Sequence, residues 1–169
     1  MESVNSHKDL QSCTSMAVNI SGSLALLAGR RAYGLVELDQ PSVLRHKESR
    51  HSKWEVSTSE FSREESLVAV ASNNKIDLVR WREGELAVET TLRGHTRVVT
   101  DLSWHYQDHN LLATSSTDTY IYVWDKRDSR RPVNNFQAVA GATKIQWNKA
   151  GSRSLGYILY CIDWSLISK

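Results

Sequence analysis

One spacing constrains this chain more than any other property. Val18, Phe61, Trp104 and Trp147 stand 43 residues apart in turn, and so do Leu38, Trp81 and Trp124. Two apolar ladders at one period mark a recurring module, and such modules bury their apolar sides against one another. The module is made of strands. Between Val98 and Asp125, three short runs rich in β-branched and aromatic residues (98–104, 111–115 and 120–125) are separated by polar turn clusters. Segments of that kind rule against a helical solenoid.

Following the period divides the chain. Residues 1–12 form a polar segment or a stray strand. A first unit covers about 13–47, with strands at 15–19, 24–29 and 32–38 and turns at Ser21-Gly22 and Gly29-Arg30. A second covers about 53–92, with strands at 54–58, 67–72, 76–81 and 86–91. Its Asn73-Asn74 turn tolerates left-handed backbone. The third covers about 94–139 and adds a loop at 126–131 and an outer strand near 133–139. A fourth starts at Ala142, so the blade region as a whole runs 13–150. The tail, 151–169, diverges: Tyr157, Cys161 and Ile167 stand where Thr114, Asp118 and Trp124 stood one period earlier. It holds an apolar, aromatic run able to pair as a strand.

Four polar residues of the third unit complement one another. The Trp124 indole can only donate, Thr114 can accept and donate, His95 can accept on one nitrogen and donate from the other, and Asp118 accepts. A relay Trp124–Thr114–His95–Asp118 satisfies every member, as a half-buried network must. A hydrolase reading of the same residues fails, because a nucleophile needs an exposed, base-activated hydroxyl and Thr114 sits mid-strand in an apolar run. With Gly94-His95 near its start and Trp124-Asp125 at its close, the unit resembles a WD repeat, in which each repeat builds a four-stranded propeller blade. The matching positions in WD-repeat proteins form a structural tetrad of this kind. The second unit lacks it, since Lys75 replaces the aspartate. The expected fold is all-β, a partial WD-repeat β-propeller of about three and a half four-stranded blades. Three and a half blades do not close a ring of the usual size. Either another protein supplies the rest, or the sequence is a fragment or splice product of a larger propeller protein; the second is preferred.

Composition adds exclusions. A formal net charge of +2 announces neither a nucleic-acid nor a membrane-surface partner. Cys13 and Cys161 lie far apart with no CxxC or Cys/His cluster, which fits a reducing compartment and gives no disulfide framework. The N-terminus is no secretory signal, and no apolar run approaches the roughly 20 residues of a spanning helix. The basic stretches Arg30-Arg31, 45–50 and 126–131 fall in expected loops, as solvated turns or parts of a protein interface. His105 and His109, four apart with Asp101 and Asp108 nearby, would suit a metal only on a helix. Residues 106–110 read as a turn instead. No metal, cofactor or small-molecule substrate is expected, and no constellation supports an enzyme.

Several runs point to a narrower family. Ser52-Lys53-Trp54, 71–78, 90–98, 117–125, 138–142 and Trp147-Asn148-Lys149 resemble the N-terminal propeller of a WD-repeat subunit of the GATOR complex, over about residues 13–150. The resemblance implies a non-catalytic scaffold whose partners are the other subunits. It also implies a complex at the cytosolic face of lysosomes, without membrane insertion, that promotes amino-acid signalling to the target-of-rapamycin kinase. The Cys/His-rich C-terminal module of such a subunit has no counterpart here, so ligase activity or zinc binding is not carried over. The alternative is a substrate receptor of a cullin-type ubiquitin ligase, because Trp124-Asp125-Lys126-Arg127 fits the W-D-x-R pattern, with Asp125 and Arg127 as adaptor contacts.

Overall fold

A computed structural model describes residues 13–30, 32–38, 45–82, 85–147 and 158–161. Fourteen strands and no helix lie among them. The first sheet joins β1 (Ser15–Val18), β2 (Leu24–Ala28), β3 (Ala32–Glu37) and β4 (Arg45–His51) in that order, antiparallel throughout. The second joins β5 (Val56–Phe61), β6 (Leu67–Ser72), β7 (Lys75–Arg82) and β8 (Glu85–Arg93) in the same way. The third repeats the order with β9 (Val99–Trp104), β10 (Leu111–Ser116), β11 (Tyr120–Asp125) and β12 (Asn134–Gln137). A fourth pairs β13 (Lys144–Trp147) with β14 (Ile158–Cys161). The first strands of successive sheets lie side by side, β1 by β5, β5 by β9 and β9 by β13. Four sheets thus follow one another like blades about an axis, a partial WD-repeat propeller.

The core lies between the blades. Strand β6, Leu-Val-Ala-Val-Ala-Ser, is buried at every position because both its faces are covered. Val68 and Val70 pack towards the first sheet with Leu26, Tyr33 and Leu35. Leu67, Ala69 and Ala71 pack towards the third with Leu112 and Trp124. The third and fourth sheets meet over Ala113, Ile121, Val123, Ile145 and Trp147. A strand sandwiched this way reads as a continuous apolar run rather than an alternation.

The period is also written in polar atoms. The hydroxyls of Thr14, Ser57 and Thr100, each 43 residues from the last, donate to the carbonyls of Val56 (2.8 Å), Val99 (2.7 Å) and Ala142 (2.5 Å) of the next blade. Trp104 Nε1 donates back to the Glu60 carbonyl at 3.1 Å, and Trp147 Nε1 to the Ser103 carbonyl at 2.9 Å. Each such bond contributes on the order of 1 kcal/mol, against about 1.5–3 kcal/mol for each fully buried leucine or isoleucine of the seam. Burial therefore holds the blades together, and the hydrogen bonds fix their register.

Three local expectations are corrected. The innermost strand of the second sheet is Val56–Phe61 rather than 54–58: Trp54 lies before it and is 48% exposed. Residues 45–50 are not a loop but most of the outer strand β4, paired along β3. The outer strand of the third blade is shorter than 133–139, running Asn134–Gln137. Arg31 and the tail beyond Cys161 lie outside the described residues.

Candidate functional site

Three elements of the third blade bring the four relay residues together. His95 follows Gly94 in the connection from β8 to β9, Thr114 is central in β10, Asp118 lies in the β10–β11 turn and Trp124 near the end of β11. Trp124 Nε1 donates to Thr114 Oγ1 at 2.9 Å, Thr114 Oγ1 lies 2.9 Å from His95 Nε2, and His95 Nδ1 lies 2.9 Å from Asp118 Oδ2. The indole can only donate, so the threonine hydrogen is left for Nε2, and the imidazole proton sits on Nδ1 facing the carboxylate. Trp124 and Thr114 are fully buried and His95 nearly so.

The surroundings fix this geometry. The His95 ring stacks on Tyr122 at 4.4 Å between centroids, and Tyr122 meets Trp124 edge-on at 5.7 Å. Gly94 passes so close to the indole that a Cβ there would fall 2.8 Å from Trp124 Cη2 and 3.3 Å from Tyr122 Cε2. Asp118 also accepts the amides of Thr96 and Tyr120, both at 2.9 Å. That turn carries Thr119 at φ 71°, a left-handed conformation rare for a β-branched residue. Burial holds the His95 pKa below its ordinary value, although Asp118 pulls the other way. Burial opposes ionisation of Asp118, but the Tyr120 and Thr96 amides and His95 outweigh it and keep the carboxyl below the usual carboxylate range. A neutral imidazole and an ionised aspartate at neutral pH complete the relay. Thr114 Oγ1, the only hydroxyl in the relay, is fully buried and spent on two partners, so the group has the chemistry of a brace.

The same positions of the second blade are Ser52, Ala71, Lys75 and Trp81. Ser52 Oγ there donates to the carbonyl of Trp54 at 2.6 Å, within its own loop.

Asp125 and Arg127 close on each other: Arg127 Nε lies 2.9 Å from Asp125 Oδ1 and Nη2 lies 2.5 Å from Oδ2. The guanidinium pulls the Asp125 carboxyl below its ordinary range. Arg130 pairs with Asp128 at 2.8 Å, and Lys126 reaches across the seam to Glu64, which also pairs with Arg80. The basic run 126–131 is thus largely neutralised by local carboxylates. At His105, Nδ1 accepts the amides of Gln107 (3.1 Å) and Asp108 (2.9 Å), while its ring packs edge-on against Trp147 at 4.6 Å. Among the described residues no group of His, Cys, Asp and Glu is placed to hold a metal ion. Nor is any helix there long and apolar enough to cross a membrane.

Sequence reasoning missed a surface at the ends of the innermost strands. A cavity of about 370 Å³ opens between Thr14, Trp54, Asn73 and Val98. Trp54 and Val98 are 48% and 44% exposed, and Lys53 Nζ stands 5.7 Å from the Trp54 ring centroid. Trp54 itself was the available signal, but at the head of the expected strand 54–58 it reads as core.

The WD domain, G-beta repeat family matches residues 87–125. The chain is 43% identical over 145 residues to the GATOR2 complex protein WDR59 of Homo sapiens, covering 84% of this chain. It is 43% identical over 155 residues to the GATOR2 complex protein Wdr59 of Drosophila melanogaster, covering 88% of it. A protein of Schizosaccharomyces pombe with RWD, RING finger and WD repeat segments is 36% identical over 144 residues, 79% of this chain and 10% of that protein. The chain spans only 15% and 16% of the human and fly relatives.

Proposed function

From the premise that the chain carries WD repeats folded as part of a β-propeller, we propose that it is a non-catalytic interaction scaffold that joins a GATOR2-type complex. The observation that carries this reading is the 43% identity to GATOR2 complex proteins across 84–88% of the chain. The chemistry agrees with it. The Thr114/His95/Asp118 constellation is consumed in bracing a blade, while the exposed Trp54 and Val98 beside an open cavity offer a protein partner an apolar anchor point. By the same reading its partners are the other subunits of that complex. It would act at the cytosolic face of lysosomes, without inserting into the membrane, in amino-acid signalling to the target-of-rapamycin kinase.

Recovery of tagged chain from cells tests the proposal. Other GATOR2 subunits are expected to copurify, and a preparation that recovers none contradicts it. The ligase-receptor alternative gains no support from the relatives, and its would-be contact Arg127 is engaged by Asp125. Copurification of a cullin adaptor, lost on Arg127→Ala, would revive it.

A further inference from the structure

The cavity beside Trp54 is built into the seam between the second and third blades, where Val56, Ser57, Asn73 and Val98 wall it. Asn73, at φ 55° in the β6–β7 turn, accepts the Val99 amide at 2.7 Å. The Asn74 side chain donates to the His95 carbonyl at 3.1 Å. These bonds tie the turn of one blade to the start of the next, so the walls stand in place before a ligand arrives. At about 370 Å³ the space is within the range of ordinary ligand pockets. The charges at this end of the blades are unbalanced. Lys53, Arg93 and Arg97 are exposed and Lys75 is half-buried, and none of the four pairs with a carboxylate among the described residues. Lys53 Nζ stands over the Trp54 ring, and Lys75 faces Arg93 in register. Glu55 lines the cavity and Asp118 is held in the relay, so cations outnumber anions. At the opposite strand ends Arg80, Lys126, Arg127 and Arg130 each meet a carboxylate.

We propose that this surface receives an extended acidic segment of a partner protein. The segment seats one large apolar side chain between Trp54 and Val98 and sets carboxylates beside it against Lys53 and Arg97. The apolar side chain takes the exposed faces of Trp54 and Val98 out of water. The flanking carboxylates meet cations that no carboxylate among the described residues neutralises, which is the complementarity that selects a partner by charge. A single strand of nucleic acid also carries anions, but it needs aromatic faces in succession to stack on. Here one indole stands between the aliphatic side chains of Val56 and Val98, which suits a side chain better than a row of bases. The inference rests on the scaffold reading, since it gives the chemistry of a partner at the anchor point named there.

Fluorescence anisotropy of labelled synthetic probes titrated with the 169-residue chain tests it. The probes are short peptides with phenylalanine, leucine or glycine at the centre, flanked by aspartate and glutamate or by lysine, and a single-stranded oligothymidylate. Acidic peptides with a central phenylalanine or leucine should bind. A central glycine, or Trp54→Ala in the protein, should weaken binding by about tenfold or more, as loss of a central anchor does. Arg97→Glu and added salt should weaken it as well, whereas Arg127→Glu, at the opposite end and paired with Asp125, should not. Melting curves of Trp54→Ala and Arg97→Glu should match the wild type, because both side chains are exposed. No binding of any acidic peptide, equal binding of the lysine-flanked peptides, indifference to both variants, or tighter binding of the oligothymidylate overturns the proposal. Peptide binding as expected, with no GATOR2 subunit recovered from cells, upholds this inference and counts against the GATOR2 assignment alone.

Discussion

At the scale of single residues, the strongest statement concerns His95. It is buried, it bonds on both ring nitrogens, and its removal would strand the Thr114 hydroxyl and part of the Asp118 carboxylate. Leaving buried partners unpaired costs about 1–3 kcal/mol, so His95→Ala should lower unfolding stability in urea by that amount. An unchanged midpoint would mean that the relay contributes nothing. The same residue sets a pH dependence. Because the folded site refuses a proton that the unfolded imidazole takes up, the unfolded state binds more protons once the pH falls below about 6.5. Stability should be flat above that value and decline below it. A further decline should begin below about 4, as unfolded Asp118 protonates before the folded carboxylate does. His95→Gln should remove the first decline from the stability profile and keep the second; a wild-type profile flat from pH 7 to 5 would contradict the assignment.

At the scale of elements, the seams divide their labour between burial and register. Thr100→Val deletes the donor to Ala142 with little change of shape and is expected to cost about 1 kcal/mol. Leu78→Ala, which empties a fully packed site between the second and third blades, should cost about 2–5 kcal/mol. Equal losses, measured by chemical unfolding, would refute that division. The seam also explains what was legible in the sequence. Trp104 and Trp147 are large and keep the period, so the blade count and three strands of the third blade could be read directly. Thr14, Ser57 and Thr100 keep the same period but are small polar residues of a kind common in turns, and their ladder went unread. Trp54 drew the innermost strand of the second blade two residues too early, although Phe61, on the Trp104 ladder, fixes where it ends. Strand β4 was hidden for a different reason: Arg-His-Lys-Glu-Ser-Arg-His carries no apolar alternation, since an outer edge strand gains from charge that discourages pairing.

At the scale of the whole molecule, the relay was legible because its four residue types complement one another within a single unit, whereas the Trp54 surface was not, because exposure cannot be read from residue type. Among the described residues the molecule is a row of blades whose interior is spent on stacking, and the exposed apolar side chains it offers to other molecules include Trp54 and Val98 at the strand ends. The account depends on the blades being related by one repeated contact. The nuclear Overhauser effects of the Trp104 and Trp147 indole N–H protons in the folded chain test this most directly. The Trp104 Nε1 proton should show cross-peaks to Glu60 and Phe61, and the Trp147 Nε1 proton to Ser103 and Trp104, each one repeat away. Indole protons that exchange freely with water and show no contact to those residues would contradict the account.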